Sequence, residues 1–232
     1  MSPSSRVVVA LDYANAQQAL DLVDRLDASQ CKLKVGKELF AIAGPGLVEK
    51  LVNQNFDVFL DLKYHDIPNT VAMACKAAAN LGVWMVNVHA LGGPKMIEAA
   101  KEAIVSCAHQ PILTAVTILT SFDQSQLHAI GLSGSIEDNV VRLAKLAEGA
   151  GADGVVCSAL EAKVLRQQVK SDFCLVTPGI RPAGSATNDQ QRIMTPEQAV
   201  TAGSDYLVIG RPITQAEDPL AALLAINAAL VS

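Results

Sequence analysis

The sequence has no cluster of basic residues. Its 18 Lys and Arg stand against 23 Asp and Glu, a formal net charge of −5, so nucleic acid finds no matching surface, although a few local cations could still hold a small anionic ligand. Cysteines are few and scattered. Cys31, Cys75, Cys107, Cys157 and Cys174 lie in apolar stretches, odd in number, with no CxxC and no metal-type spacing. They read as small core residues in a reducing compartment. Long hydrophobic runs are lacking too. After Met1 the first apolar run is Val7 to Leu11, far short of a signal-peptide core. The most apolar segment, Pro219 to Val231, is too short to span a bilayer and resembles a closing helix packed on a core. The expectation is a cytoplasmic protein. Linkers, low-complexity tracts and composition shifts are missing as well, so residues 1–232 are expected to form one domain.

What is present is core-forming material. Half of the 232 residues are apolar and only 4% are aromatic, enough to fill one large core and incompatible with disordered or fibrous classes. Short β-branched runs recur at 6–13, 31–36, 56–63, 84–90, 111–120, 153–159, 173–179 and 205–212. Between them stand stretches with apolar residues at helical spacing, among them AQQALDLVDRL, NTVAMACKAAANLG, PKMIEAAKEAIVS, IEDNVVRLAKLAEGAG, LEAKVLRQQVK and TPEQAVTAG. Thr195 with Gln198 fits a capping box, Pro196 suits a first helical turn, and Gly82, Gly151 and Gly203 sit where helices should stop. Continuous apolar strands, each followed by a helix, imply a parallel sheet buried on both faces. Eight such units fit an α/β fold of one kind best, a single (β/α)8 TIM barrel. A doubly wound sheet would usually begin with a glycine-rich turn, and LDYANA after the first strand has no glycine.

In such a barrel the C-terminal ends of the strands build the active site. Polar residues collect there: Asp12, Lys34, the group Asp61, Lys63 and Asp66, then Asn87 and His89, Thr120 and Ser121, Pro178 to Arg181, and Gly210 with Arg211. Several have a plain structural reading. Asp66, before Ile67-Pro68, reads equally well as a helix N-cap. His89 reads first as a satisfied core or rim histidine, and His109 and His128 as surface residues. Lys34 could snorkel outward like its neighbours Lys32 and Lys37. Asp61 and Lys63 resist such a reading, because residues two apart on a strand share a face and an unpaired buried charge is too costly to keep. They are expected to form an ion pair or part of a charge network. The turn VIGRP (208–212) offers a backbone N–H and the Arg211 guanidinium to an anion. With Arg181 and Gln190 on the long loop RPAGSATNDQQR (181–192), it suggests a phosphate held from two sides under a closing lid.

These residues also carry a resemblance. DLKYHDIPNT (61–70) is similar to the signature of the orotidine 5′-phosphate decarboxylase family, together with ALDY (10–13), KVG (34–36), LTS (119–121), PGIRP (178–182) and IGRPI (209–213), so the likeness runs through the whole chain. The D-x-K-x-x-D core is shared with other phosphosugar enzymes of the same superfamily; the continuation IPNT, with Lys34 on the second strand, narrows it. The resemblance implies conversion of orotidine 5′-monophosphate to uridine 5′-monophosphate and CO2, the last step of pyrimidine nucleotide synthesis, with no metal or organic cofactor. It implies that Lys63 is the proton donor, that Asp61 lies beside the substrate carboxylate, and that Lys34 and Asp66 complete an alternating Lys34–Asp61–Lys63–Asp66 array. Asp12 matches a ribose contact, Thr120 and Ser121 fall at the pyrimidine, Pro178 lines the base pocket, and Arg181, Gln190, Gly210 and Arg211 match the phosphate grip. Asp66 and Thr70 would reach a neighbouring subunit's site, which implies a homodimer with composite sites.

Two other readings compete. A metal-dependent phosphosugar epimerase or decarboxylase of the same superfamily could use His65, Asp66 and His89 as ligands, but Lys34 would project a cation where a divalent metal should sit. A barrel that only binds nucleotides would share the phosphate grip, yet binding alone does not account for a lysine flanked by two carboxylates.

Overall fold

The computed structural model describes residues 5–182 and 194–230. Eight strands, β1 (Val7–Leu11), β2 (Lys32–Gly36), β3 (Val58–Tyr64), β4 (Met85–His89), β5 (Ile112–Val116), β6 (Gly154–Val156), β7 (Cys174–Thr177) and β8 (Tyr206–Ile209), follow one another round a closed barrel. All neighbours are parallel, and β1 closes on β8 with Val8 opposite Val208. Each falls inside one of the eight runs picked out by their apolar continuity, except that β3 extends one residue past its run, to Tyr64; such continuity is the pattern that burial on both faces demands. The helices among the described residues are α1 (Ala16–Val23), α2 (Lys37–Asn53), α3 (Pro68–Asn80), α4 (Pro94–Val105), α5 (Gln124–Ala129), α6 (Ile136–Gly149), α7 (Ala159–Arg166), α8 (Pro196–Thr201), α9 (Arg211–Thr214) and α10 (Pro219–Ala229). Three of them, α2, α5 and α9, have no counterpart among the helical segments named above. Helix α2 is broken at Gly44 (φ 66°, ψ −168°), with Pro45 next to it, and that glycine–proline pair interrupts its apolar period.

Helix ends follow their local sequence. Thr195 forms the expected reciprocal capping box with Gln198, and Ser135 and Ser158 form two more. One apolar layer packs helices on the outside of the sheet, while a smaller set, Val8, Ala10, Phe59, Met85, Val176 and Val208, fills the barrel interior. Lys32 and Lys34 both belong to this inner face and are 4% and 7% exposed, so neither snorkels outward.

Lys32 sits at the N-terminal end of the barrel. Its ammonium pairs with Asp57 at 2.5 Å and lies 4.5 Å from the Trp84 ring centroid, an attraction that gains as water is excluded. Trp84 meets Tyr206 edge to face at 4.8 Å, so two rings and an ion pair close this end. Nearby, two aspartates clamp the sheet to its helices. Asp153, just before β6, accepts the Leu113 N–H and the Lys101 ammonium. Asp205, just before β8, accepts the Leu175 N–H and Arg166 Nη2. The Arg166 guanidinium also donates to the carbonyls of Phe173 and Gly203, each at 2.8 Å.

This fork joins α7, the start of β7 and the turn before β8, a task that the single ammonium of lysine cannot repeat. Arg166→Ala should therefore lower the unfolding free energy by about 1–3 kcal/mol, the cost of leaving such acceptors unpaired. Arg166→Lys should recover only part of it, as read by urea denaturation.

Candidate active site

The feature that organises the site is a dislocation in β3. Up to Leu60, paired with Val86, the strand runs in ordinary register, but the next pairing joins Tyr64 to Val88. The surplus residues of β3 bulge at Asp61–Lys63, and Lys63 adopts φ 53°, the left-handed region that side chains other than glycine's seldom occupy. Such a conformation costs of order 1 kcal/mol or more and persists only where the surroundings impose it. Asn87, fully buried on β4, fills the gap: its Oδ1 accepts the Lys63 N–H and its Nδ2 donates to Asp61 Oδ1, both at 2.7 Å.

Asp61 is thereby fixed among cations. Its Oδ1 accepts Lys63 Nζ at 2.5 Å, and its Oδ2 lies 3.6 Å from Lys34 Nζ. Lys34 in turn pairs with Asp12 at 2.9 Å. Burial alone would raise the Asp61 pKa, but Lys34, Lys63 and the hydrogen bonds from Lys63 and Asn87 outweigh it and hold the carboxyl below its usual range. Gly36 guards the geometry: a methyl group there would stand 3.1 Å from Lys34 Nζ. Within one chain the alternating array therefore runs Asp12–Lys34–Asp61–Lys63. The expected fourth member, Asp66, stands apart. It is exposed and accepts the adjacent Ile67 N–H at 2.6 Å. Nor is it the N-cap of α3, a position held by Ile67 with no side-chain bond.

The array borders a cavity of about 540 Å³ at the C-terminal ends of the strands, within the span usual for small-molecule sites, about 300–1,000 Å³. Of the residues singled out from the sequence, Asp12, Lys34, Asp61, Lys63, Thr120, Pro178, Arg181, Gly210 and Arg211 line it. Ser121 is exposed in the turn after β5 and Thr70 is exposed on the first turn of α3, and neither is among its lining residues. Gln190, with the rest of residues 183–192 of the lid candidate, lies outside the described residues. The ends flanking that segment are tied together, since the Arg181 N–H donates to the Met194 carbonyl. Gly179, with φ 79°, turns the chain after β7 so that Arg181, 7% exposed, enters the cavity wall. In the eightfold order β7 faces β3, so Arg181 stands across the barrel from the lysines.

Sequence reasoning gave no role to Tyr13, Cys157, Thr214 or Gln215, which also line the cavity. Tyr13 sits in the quoted ALDY stretch, and its hydroxyl donates to the Thr214 carbonyl at 3.4 Å. Thr214 and Gln215 are brought in by the four-residue helix α9, too short to leave an apolar period.

His89 is the rim group whose surroundings favour neutrality most strongly. Burial, then His65, Lys37 and Lys63, push its pKa down to about 4, against a smaller opposing pull from Asp61. Its ring lies 5.6 Å from that of His65. Among the described residues no group of three or more His, Cys, Asp or Glu side chains is disposed to hold a metal ion. Because the folded state binds the His89 proton less readily than the unfolded chain, stability should be full above about pH 6.5 and decline towards pH 4. Replacement of His89 by Gln should flatten that decline in denaturation curves recorded across this range.

Comparison with known proteins agrees with this geometry. The profile of the family described as Orotidine 5′-phosphate decarboxylase / HUMPS matches residues 5–226. The chain is 64% identical over 230 residues to orotidine 5′-phosphate decarboxylase of Hydrogenovibrio crunogenus, covering 99% of this chain and 98% of that one. It is 61% identical over 224 residues to the enzyme of the same name from Nitrosococcus oceani, covering 97% of each. The crystal structure of orotidine 5′-phosphate decarboxylase from Lactobacillus acidophilus superposes with a TM-score of 0.89 at 43% identity, covering 98% of this chain and all of that one. The chain therefore belongs to the orotidine 5′-phosphate decarboxylase / HUMPS family.

Proposed function

We propose that this chain decarboxylates orotidine 5′-monophosphate to uridine 5′-monophosphate and CO2. The observation that carries the reading is the Asp61 carboxylate between two ammonium groups at the wall of a cavity that arginines border elsewhere. Loss of CO2 leaves a carbanion at C6 in the plane of the pyrimidine, where the ring's π system cannot delocalise it. Its charge must then be met electrostatically, and an ammonium held in advance does this while carrying the proton that quenches it. Lys63 is assigned that role. Asp61, itself held by Lys34, keeps it in place. Asp12 is assigned to the ribose, Thr120, Ser121 and Pro178 to the base, and Arg181, Gln190, Gly210 and Arg211 to the phosphate. Binding the remote phosphate supplies energy that can be used to complete the charged site. In this scheme residues 1–232 act as one catalytic unit in the cytoplasm, with no metal or organic cofactor.

The second half of the reading is a homodimer with Asp66 and Thr70 serving the partner's site. Their exposure, with neither lining the cavity of their own chain, supports it, as do Ile67 and Met73, apolar residues 67% and 50% exposed on the same segment. Surfaces of that kind are commonly covered by a second protein.

Metal-free protein given orotidine 5′-monophosphate should consume it, followed by ultraviolet absorbance, at a rate that EDTA leaves unchanged. Lys63→Ala should lower turnover by at least about 10³-fold while still binding uridine 5′-monophosphate. Loss of activity on chelation, with return on adding Mg²⁺ or Zn²⁺, would instead point to a metal-dependent phosphosugar enzyme.

Composite sites have a sharper signature. Lys63→Ala and Asp66→Ala, each nearly inactive alone, should regain about a quarter of the unaltered activity on subunit exchange, since half the dimers are mixed and each carries one intact site of two. No recovery in samples shown to have exchanged would rule out sharing across a dimer.

A further inference from the structure

A polar side chain that never touches the cavity holds two groups that do. Asn87 is wholly buried on β4 and absent from the cavity wall. Its amide nevertheless makes one bond to each of the residues on which the proposed chemistry depends, as donor to Asp61 Oδ1 and as acceptor from the Lys63 backbone N–H, both at 2.7 Å. No other neutral amino-acid side chain of this size offers both functions in one plane. The bulge explains why both are needed. With one residue of β4, Asn87, opposite three of β3, regular ladder pairing lapses between Leu60 and Tyr64, and a buried N–H left there would be costly. Asn87 stands in for the missing ladder partner, and the same contact holds Lys63 at φ 53°, the turn that directs its side chain back towards Asp61.

We propose that Asn87 is the positioning residue of this site, an amide that fixes the Asp61 carboxylate and the Lys63 backbone together so that the ammonium is in place before substrate arrives. The inference rests on the decarboxylase reading above and extends it to a residue that the reading leaves without a role. Asn87 acts through Asp61 and Lys63 alone. Its loss should consequently affect the chemical step and leave the hold on the ribose and phosphate unaltered, because Asp12, Arg181 and Arg211 are borne by other strands or the loops that follow them.

The test compares the unaltered chain with Asn87→Ala and Asn87→Asp. Turnover of orotidine 5′-monophosphate, its KM, and the affinity for uridine 5′-monophosphate would be measured, with urea denaturation as the control for folding. Asn87→Ala should lower kcat by about 10²-fold, the scale of an ångström-sized misplacement of a reacting group, with affinity for uridine 5′-monophosphate changed less than about threefold. That split between kcat and binding is what loss of an interaction used only in the transition state produces. Asn87→Asp keeps the acceptor for Lys63 N–H but sets a second carboxylate against Asp61. It should lose turnover at least as severely despite its near-identical shape, and it decides the matter if the alanine variant does not fold. Turnover within threefold of the unaltered chain in either folded variant would overturn the proposal. So would a parallel loss of turnover and nucleotide affinity, the mark of a merely structural residue. Absence of turnover in the unaltered chain would instead refute the decarboxylase reading, and the role of Asn87 with it.

Discussion

Asp61 has a side chain only 13% exposed, and a carboxylate that deeply placed remains ionised only if its lost hydration is replaced. Two donors and a further cation replace it: Lys63 at 2.5 Å, Asn87 at 2.7 Å, and the Lys34 ammonium at 3.6 Å. The rest of the site depends on this arrangement. Remove the carboxylate and two ammonium groups face each other across a poorly hydrated gap. Remove a lysine and the carboxyl drifts upward in pKa towards its neutral form. Each charge is tolerable because the others are present, so the site is a single electrostatic unit. Its members cannot be assigned separate energies.

The barrel exists to hold that unit still. Lys34 and Asp61 come from adjacent strands whose register sets Gly36 opposite Asp61, so the two side chains approach through backbone pairing and not through loop mobility. The dislocation in β3 then supplies what an ideal strand cannot. Regular alternation points successive side chains to opposite faces, whereas the bulge re-aims Lys63 at the close of the strand. The strain is local, and the surrounding ladder of eight parallel strands is stiff enough to maintain it. At the opposite end, Lys32 with Asp57, Trp84 and Tyr206 seals the barrel. Charge is thus buried at both ends, and at the C-terminal end it borders the cavity.

Much of this was legible in the amino-acid order, and the limits of that legibility are physical. The eight strands showed themselves because burial on both faces makes their apolar runs continuous. Asp61 and Lys63 stood out because unpaired charges do not survive in such runs. What could not be read is whatever depends on register. Nothing in VFLDLKY announces that Tyr64 pairs with Val88 and not with a nearer residue. Asn87 was visible as a polar residue near a strand end, yet its role appears only when β4 is laid against that dislocation. Lys32 and Lys34 looked alike, and the closed barrel separates them by direction: one is committed to the floor, the other to the cavity. For Asp66 a cap and a site role stood level for a related reason, since the choice of cap between it and Ile67 turns on a single backbone step.

Asp66 is also the residue on which the proposed dimer turns. Its carboxylate is exposed and, among the described residues, makes no ion pair, while Lys63 has its ammonium bonded to one carboxylate, that of Asp61. In water, isolated exposed charges need no explanation. Here the acid without an ion pair belongs to the same short segment as the paired one, between a strained lysine and two exposed apolar side chains, Ile67 and Met73. An arrangement that spends backbone strain to aim Lys63 would be expected to use the neighbouring acid as well, and geometry denies it that use within one chain. The proposed dimer resolves the mismatch. A second copy would bring an equivalent Asp66 against the site and cover the apolar residues in the same contact, so that assembly and active-site completion become one event.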